Sequence, residues 1–159
     1  MDQPLTLPDN VVVRPSTEED VPAMLAIYAH HVRNGVNVED PEPLHDEDIK
    51  RRRKNMLKRK LPHLVAERAG TIVGYAYAVP FRKRPAYRYA VKHSIYVHPD
   101  HLHSGVGRAL LPALIDACGA VGFRRAGLLE GVGYKFGRWT DSLLMQRVLG
   151  PGTAEAPSF

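Results

Sequence analysis

The sequence predicts an α/β chain, with short strands of one mixed sheet covered by amphipathic helices. Three observations carry that expectation. Runs rich in β-branched and aromatic residues, at 11–14, 64–67, 72–79 and 89–97, are short and bounded by Pro, Gly or charged residues. Stretches with apolar residues at helical spacing lie between them. The segment 91–111 then reads as strand, turn and helix in direct succession. At 159 residues the chain is long enough for one domain with its own core, expected over residues 1–150, with 151–159 as a disordered tail.

Each element has a local reason. Val11-Val12-Val13-Arg14 is a first strand closed by Pro15, and Ser16-Thr17-Glu18-Glu19-Asp20 supplies an N-cap and first-turn acids. Val21, Met24, Leu25, Tyr28 and Val32 then form one apolar stripe that ends before Asn34-Gly35. The acidic, proline-bearing stretch 39–45 is a loop. Asp46 is placed to cap a second helix running to about Lys60. Eight of the eleven residues 50–60 are cationic. We read them as the solvated face of a helix whose Ile49, Met56 and Leu57 turn inward. A nucleic-acid stripe is the less favoured reading, because no base-reading motif accompanies it.

Residues 64–67 and 72–79 form a hairpin through Ala69-Gly70. On the second strand Val73, Tyr75, Tyr77 and Val79 share one face. Ile72, Gly74, Ala76 and Ala78 share the other, small enough for a helix to approach closely. A basic, proline-marked loop at 80–88 leads into the strand 89–97, which stops at His98-Pro99-Asp100 because proline cannot continue a ladder. A helix at 105–121 turns Val106, Leu110, Ala113, Leu114, Ala117 and Val121 inward and carries Pro112 inside it. Residues 128–130 and 139–148 suggest a closing hairpin.

Ser104-Gly105-Val106-Gly107 is the segment with chemical content. Two glycines at a helix mouth leave backbone N–H groups uncovered where the helix dipole is positive, which suits a phosphate. The segment lacks the Gly-x-x-x-x-Gly-Lys-Ser/Thr pattern, and Leu110 stands where a dinucleotide fingerprint needs its third glycine. His98, His101 and His103 match no zinc spacing, so no metal is expected. The single cysteine, Cys118, excludes an internal disulfide framework. With no basic or apolar leader at Met1-Asp2-Gln3-Pro4 and no membrane-length apolar run, the expected location is the cytoplasm. The net charge of +5 is uneven, and Arg82-Lys83-Arg84 adds a second basic cluster.

The chain resembles the GCN5-related N-acetyltransferase superfamily, and within it the phosphinothricin (methionine sulfoximine) N-acetyltransferase group. The likeness rests on residues 13–17, Leu64-Val65-Ala66-Glu67 with Gly74-Tyr75-Ala76-Tyr77, residues 94–111, and residues 133–141 with Met145-Gln146-Arg147. It implies the acyl-CoA N-acyltransferase fold, acetyl-coenzyme A as co-substrate, a small amino-acid-like amine as acceptor, and a homodimer. Carried over by position, Ile95, Tyr96 and Val97 would bond the acetyl and pantetheine parts through their backbone. His103, Ser104, Gly105, Val106, Gly107 and Arg108 would cradle the pyrophosphate. Arg82, Tyr87, Arg88 and Tyr89 fall where relatives place a substrate-facing loop, and Tyr134 falls on the substrate wall or a dimer contact.

Three departures stand out. Lys92 occupies the position of the group's glutamate beside the cofactor strand, where a lysine accepts a proton only if its pKa is strongly depressed and, as a cation, opposes a protonated substrate amine. His93 can act as base, but strand alternation sends it to the other face. Leu102 replaces a polar residue at the start of the turn. Roughly 25 residues, about one strand and one helix at mean element lengths, are missing after the cofactor helix near 123–126. These departures leave open a non-catalytic relative that binds acyl-coenzyme A or dimerises.

Overall fold

A computed structural model describes residues 10–35, 44–118, 120–149 and 152–154. Four strands form one antiparallel sheet in the order β1 (Val12–Pro15), β2 (His63–Arg68), β3 (Thr71–Pro80) and β4 (Val91–Val97). Helices α1 (Val21–Asn34) and α2 (Asp46–Lys58) precede β2, and α3 (Val106–Cys118) follows β4. The chain then makes one long hairpin, β5 (Ala120–Lys135) with β6 (Arg138–Leu149), as a separate two-stranded sheet. Among the described residues no α-helix separates α3 from that hairpin. Every described strand pair is antiparallel. The parallel neighbour that a mixed sheet would carry is absent among the described residues, because the strand after α3 pairs with β6 instead of β4.

The two faces of the four-stranded sheet are packed differently. Val21, Met24, Ile27, Tyr28 and Val32 of α1 meet Val65 and Tyr75 on one face. Val106, Leu110 and Leu114 of α3 meet Ala66, Val73 and Ala76 on the other. Gly74 makes the second contact possible. A Cβ there would lie 2.8 Å from Val106 Cγ1, 2.9 Å from the Tyr96 carbonyl oxygen and 3.1 Å from Leu110 Cδ1. The strict alternation expected along β3 breaks at Val73, where Ala66 opposes Gly74 but Glu67 opposes Ile72. This bulge sends Val73 to the α3 side and lets Ile72 pack on the α1 side.

Other expectations shift locally. The residue capping α2 is His45, whose N–H donates to Asp48 Oδ2 at 3.3 Å, while Asp46 is the first helical residue. Leu57 is 41% exposed instead of turned inward, and Lys58 ends the helix. Asp20 closes a short 3₁₀ turn before α1 by accepting from Thr17 N at 2.7 Å. Helix α3 is shorter than 105–121: Ala109 joins its buried side, Ala117 is exposed, and Val121 falls in β5. Pro112 sits on the exposed side of α3. Ala69 (φ 49°) and Gly70 (φ 77°) form the β2–β3 turn in the left-handed region, as a two-residue hairpin turn requires. Gly152–Ala154 form a 3₁₀ turn in the expected tail. The rest of that tail and most of the 39–45 loop lie outside the described residues.

Candidate functional site

Among the described residues β4 is an edge strand, and its backbone decides what the edge can hold. His98 N donates to the Val73 carbonyl at 2.9 Å, and Phe81 N donates to the Ala90 carbonyl at 2.9 Å. With the register Tyr75↔Tyr96, Tyr77↔Ser94 and Val79↔Lys92, these bonds turn the amides of Lys92, Ser94 and Tyr96 toward β3. The N–H and C=O groups of Val91, His93, Ile95 and Val97 therefore face the open edge. Of the three residues expected to offer backbone bonds, Ile95 and Val97 present theirs outward. The Tyr96 amide is committed to Tyr75, and its ring packs at 5.1 Å from the Tyr75 ring. His31 of α1 reaches the same edge, with Nε2 2.7 Å from the Val97 carbonyl oxygen.

The edge runs into the helix mouth. Gly105 (φ 86°) and His103 (φ 57°) both adopt left-handed backbone, so the turn folds sharply before α3 begins at Val106. Ala109 N donates to the Gly105 carbonyl at 3.0 Å, the first bond of the helix. The N–H groups of Val106, Gly107 and Arg108 precede it and have no helical acceptor. A Cβ at Gly107 would meet nothing within 4 Å, and its φ is not positive, so neither packing nor backbone strain demands glycine there. What the missing side chain does is keep the donors uncovered.

Arg68 braces this turn. Its Nη2 donates to the Ser104 carbonyl at 2.9 Å, its Nη1 to Ser104 Oγ at 3.1 Å, and Nη1 also lies 3.3 Å from His101 Nδ1. Ser104 Oγ in turn donates to the His101 carbonyl at 2.6 Å. The side chains of His103 and Arg108 are exposed at the mouth. Among the described residues no group of His, Cys, Asp and Glu could hold a metal ion.

At the other end of β4 the two candidate reacting side chains part company. Lys92 lies opposite Val79 on the side of Ser94 and Tyr96; His93 lies opposite Ala78 on the side of Ile95 and Val97. Partial desolvation holds the His93 imidazole below its ordinary pKa, which keeps it neutral near pH 7. Burial pushes the Tyr96 phenol well above its ordinary value, with neighbouring Tyr77 adding to the effect. In the adjoining loop the Arg82 guanidinium sits 5.3 Å from the Phe81 ring and 5.9 Å from the Tyr87 ring. Arg88 lies 4.9 Å from the Tyr89 ring. Arg82 and Tyr87 come together with Lys83 and Arg84 around a hollow of about 420 Å³. Tyr134 is placed on the hairpin, 64% exposed, with its ring against Trp139.

That hairpin is tied back to α1 by Lys135. Its Nζ donates to the Val32 carbonyl at 2.8 Å and to the Gly35 carbonyl at 2.7 Å, an ammonium at the negative end of the helix dipole. The C-terminal end of α1 thus reaches the open edge of β4 through His31 and the hairpin through Lys135. Arg68, His31 and Lys135 act over separations of 36, 66 and about 100 residues, and no local pattern marks them. The basic run of α2 is partly used internally. Arg53 donates to Ser16 Oγ at 2.8 Å and to its carbonyl at 2.6 Å, and Lys50 pairs with Glu47 and Arg51 with Asp48.

Residues 26–133 match the model of the acetyltransferase (GNAT) family. The chain is 41% identical to phosphinothricin N-acetyltransferase of Alcaligenes faecalis, over 91% of this chain and 86% of that protein. That alignment spans 169 positions while taking in 91% of 159 residues, so it carries about two dozen positions this chain does not fill. An L-methionine sulfoximine/L-methionine sulfone acetyltransferase of Pseudomonas aeruginosa is 32% identical over 91% of this chain and 98% of its own length. Among solved structures, the GNAT superfamily phosphinothricin acetyltransferase of Sinorhizobium meliloti in complex with AcCoA superposes with a TM-score of 0.88. It is 33% identical, with 94% of each chain covered.

Proposed function

The chain belongs to the acetyltransferase (GNAT) family, and from that premise we propose that it acetylates the amine of a small amino acid of the phosphinothricin or methionine sulfoximine type, with acetyl-CoA as donor. The observation that carries this reading is the continuity of two sets of backbone donors, the outward edge at Ile95 and Val97 and the bare helix mouth at Gly107. The edge suits an extended amide-bearing arm, and the mouth suits a diphosphate. Ile95 and Val97 hold the arm, Gly105 to Arg108 hold the diphosphate, and Arg68 keeps the turn in shape.

Acetyl-CoA, when bound, supplies an activated thioester whose C–S bond is exchanged for the new C–N bond, the sulfur keeping the bonding pair and taking a proton. An outward N–H of β4 stabilises the carbonyl oxygen as negative charge develops on it. His93, held neutral, receives the proton that the acceptor nitrogen loses. Arg82 and Tyr87 orient the acceptor's carboxylate, and Arg88, Tyr89 and Tyr134 border the acceptor space.

The assembly we infer is a homodimer in the cytoplasm. Nine of the fifteen large apolar side chains exposed among the described residues lie on the β5–β6 hairpin, more than one two-stranded sheet carries unsupported in water. A lone cysteine suits a reducing compartment, and no described helix is long and apolar enough to cross a membrane.

Calorimetric titration with acetyl-CoA, followed by thiol release in the presence of phosphinothricin or methionine sulfone, tests the reading. Saturable binding and thiol release are expected. Gly107→Ala should bind at least about tenfold more weakly while its melting temperature stays level or rises, since alanine is the better helix former by up to about 1 kcal/mol. Absence of binding rejects the reading outright. Binding without thiol release from either amino acid rejects acetyl transfer to this class and leaves an acyl-CoA-binding relative.

A further inference from the structure

The outward edge of β4 and the mouth of α3 are joined by residues 98–105. A ligand that spans both is held well only when the two keep a fixed distance and angle. Arg68 holds the far end of this connection, at Ser104. The near end is the peptide between Val97 and His98, and it is bonded on both sides. His98 N donates inward to the Val73 carbonyl at 2.9 Å, and the Val97 carbonyl oxygen accepts from His31 Nε2 at 2.7 Å on the outward side. A carbonyl oxygen only accepts, so Nε2 carries the hydrogen of this bond. Val97 faces Gly74 across the sheet as a non-hydrogen-bonded pair, so the ladder gives its carbonyl no donor.

His31 is firmly placed for this contact. It belongs to α1, whose Ile27, Tyr28 and Val32 are buried in the core. Its ring stands at right angles to that of His30 at 5.5 Å and lies 5.8 Å from that of Tyr96. Tyr28, three residues earlier, meets the same Tyr96 ring edge-on at 5.4 Å. The imidazole therefore arrives at the Val97 oxygen already oriented, and the bond ties the last residue of an edge strand to a core helix. Resting on the acetyl-CoA reading given above, we propose that His31 is a positioning residue for that cofactor. By fixing the Val97–His98 peptide it keeps the edge that takes the arm aligned with the mouth that takes the diphosphate. Without the bond the peptide is free to turn its carbonyl toward water, and edge and mouth then sample many relative orientations. Only the aligned fraction accepts the whole cofactor, and the affinity falls in proportion to it. His31 itself touches neither the acceptor nor the reacting atoms.

Two substitutions separate the bond from the ring. His31→Phe keeps a ring against His30 and Tyr96 but has no donor, while His31→Gln keeps an N–H donor but has no ring. Calorimetric titration with acetyl-CoA should find binding about tenfold weaker for His31→Phe, and within about threefold of the native protein for His31→Gln. At saturating acetyl-CoA the acceptor KM should stay at its native value in both variants. Melting temperatures of the unliganded proteins are recorded alongside, because a merely structural role would lower stability and affinity together in both. Affinity that follows the ring instead of the donor, equal loss in both variants, no loss in either, or a rise in acceptor KM overturns the proposal. If the native protein gives no heat with acetyl-CoA, the cofactor reading fails and the proposal falls with it. Heat without thiol release strikes acetyl transfer alone and leaves the comparison of the two variants intact.

Discussion

His63, on β2, is 4% exposed, and its Nδ1 is buried with no hydrogen-bond partner among the described residues. Its ring stacks at 5.5 Å on Tyr77 and 6.3 Å on Tyr75. Burial, with nearby Arg53 adding repulsion against a smaller pull from Asp20, pushes its pKa down from 6.5 to about 4. The unfolded chain therefore takes up this proton first. The resulting stability is whole above pH 6.5, declines as pH falls toward 4, and amounts to about 3 kcal/mol. Melting curves should show that decline, and His63→Phe should abolish it over this window. A native melting temperature flat between pH 6.5 and 4 would contradict the assignment. Nothing in the sequence singles out His63, because its burial depends on distant segments, among them Arg53 of α2 and Asp20 before α1, whose charges reach it. The glycines of the turn before α3 were legible, since each answers to its own backbone or to the space in front of it.

At the scale of elements, β3 and α3 are interlocked through Gly74. Gly74→Ala would press a methyl group against Val106, Leu110 and the Tyr96 carbonyl, two of the distances falling below 3.0 Å. Overpacking of this kind costs about 1–3 kcal/mol. Urea unfolding should register that loss, and acetyl-CoA affinity should fall with it, because α3 carries the helix mouth. Gly107→Ala should weaken binding without loss of stability, so the pair separates a glycine needed for packing from one needed for access. The small face of β3 was readable from alternation. The bulge at Val73 was not, because one extra residue between paired strands leaves no mark on a single strand's pattern.

For the whole molecule, the long β5–β6 hairpin dominates. Among the described residues it pairs only with itself, and Leu128, Leu129, Val132, Tyr134 and Trp139 are exposed along it. Sedimentation at micromolar concentration should find a dimer, and Trp139→Glu should shift it toward monomer. A native protein that sediments as a monomer would remove the hairpin as an interface. Lys135→Met removes two bonds to the end of α1. It should cost about 1–2 kcal/mol in thermal unfolding and weaken acetyl-CoA binding, since the hairpin then loses its tie to the helix that borders the edge.

Local chemistry by itself determined the helices, most strand positions, the two-residue turn at Ala69-Gly70 and the bare helix mouth at Gly107. Each depends on neighbours a few residues apart, where periodicity and backbone preference act. The tertiary structure alone decided that β4 is an edge among the described residues, that the amides of Ile95 and Val97 point off it while that of Tyr96 does not, and that His31 reaches Val97, Arg68 the turn at Ser104 and Lys135 the end of α1. Whether a strand is central or at an edge depends on which distant segment pairs with it. Here the strand after α3 folds onto β6, and that choice leaves the donors of β4 exposed.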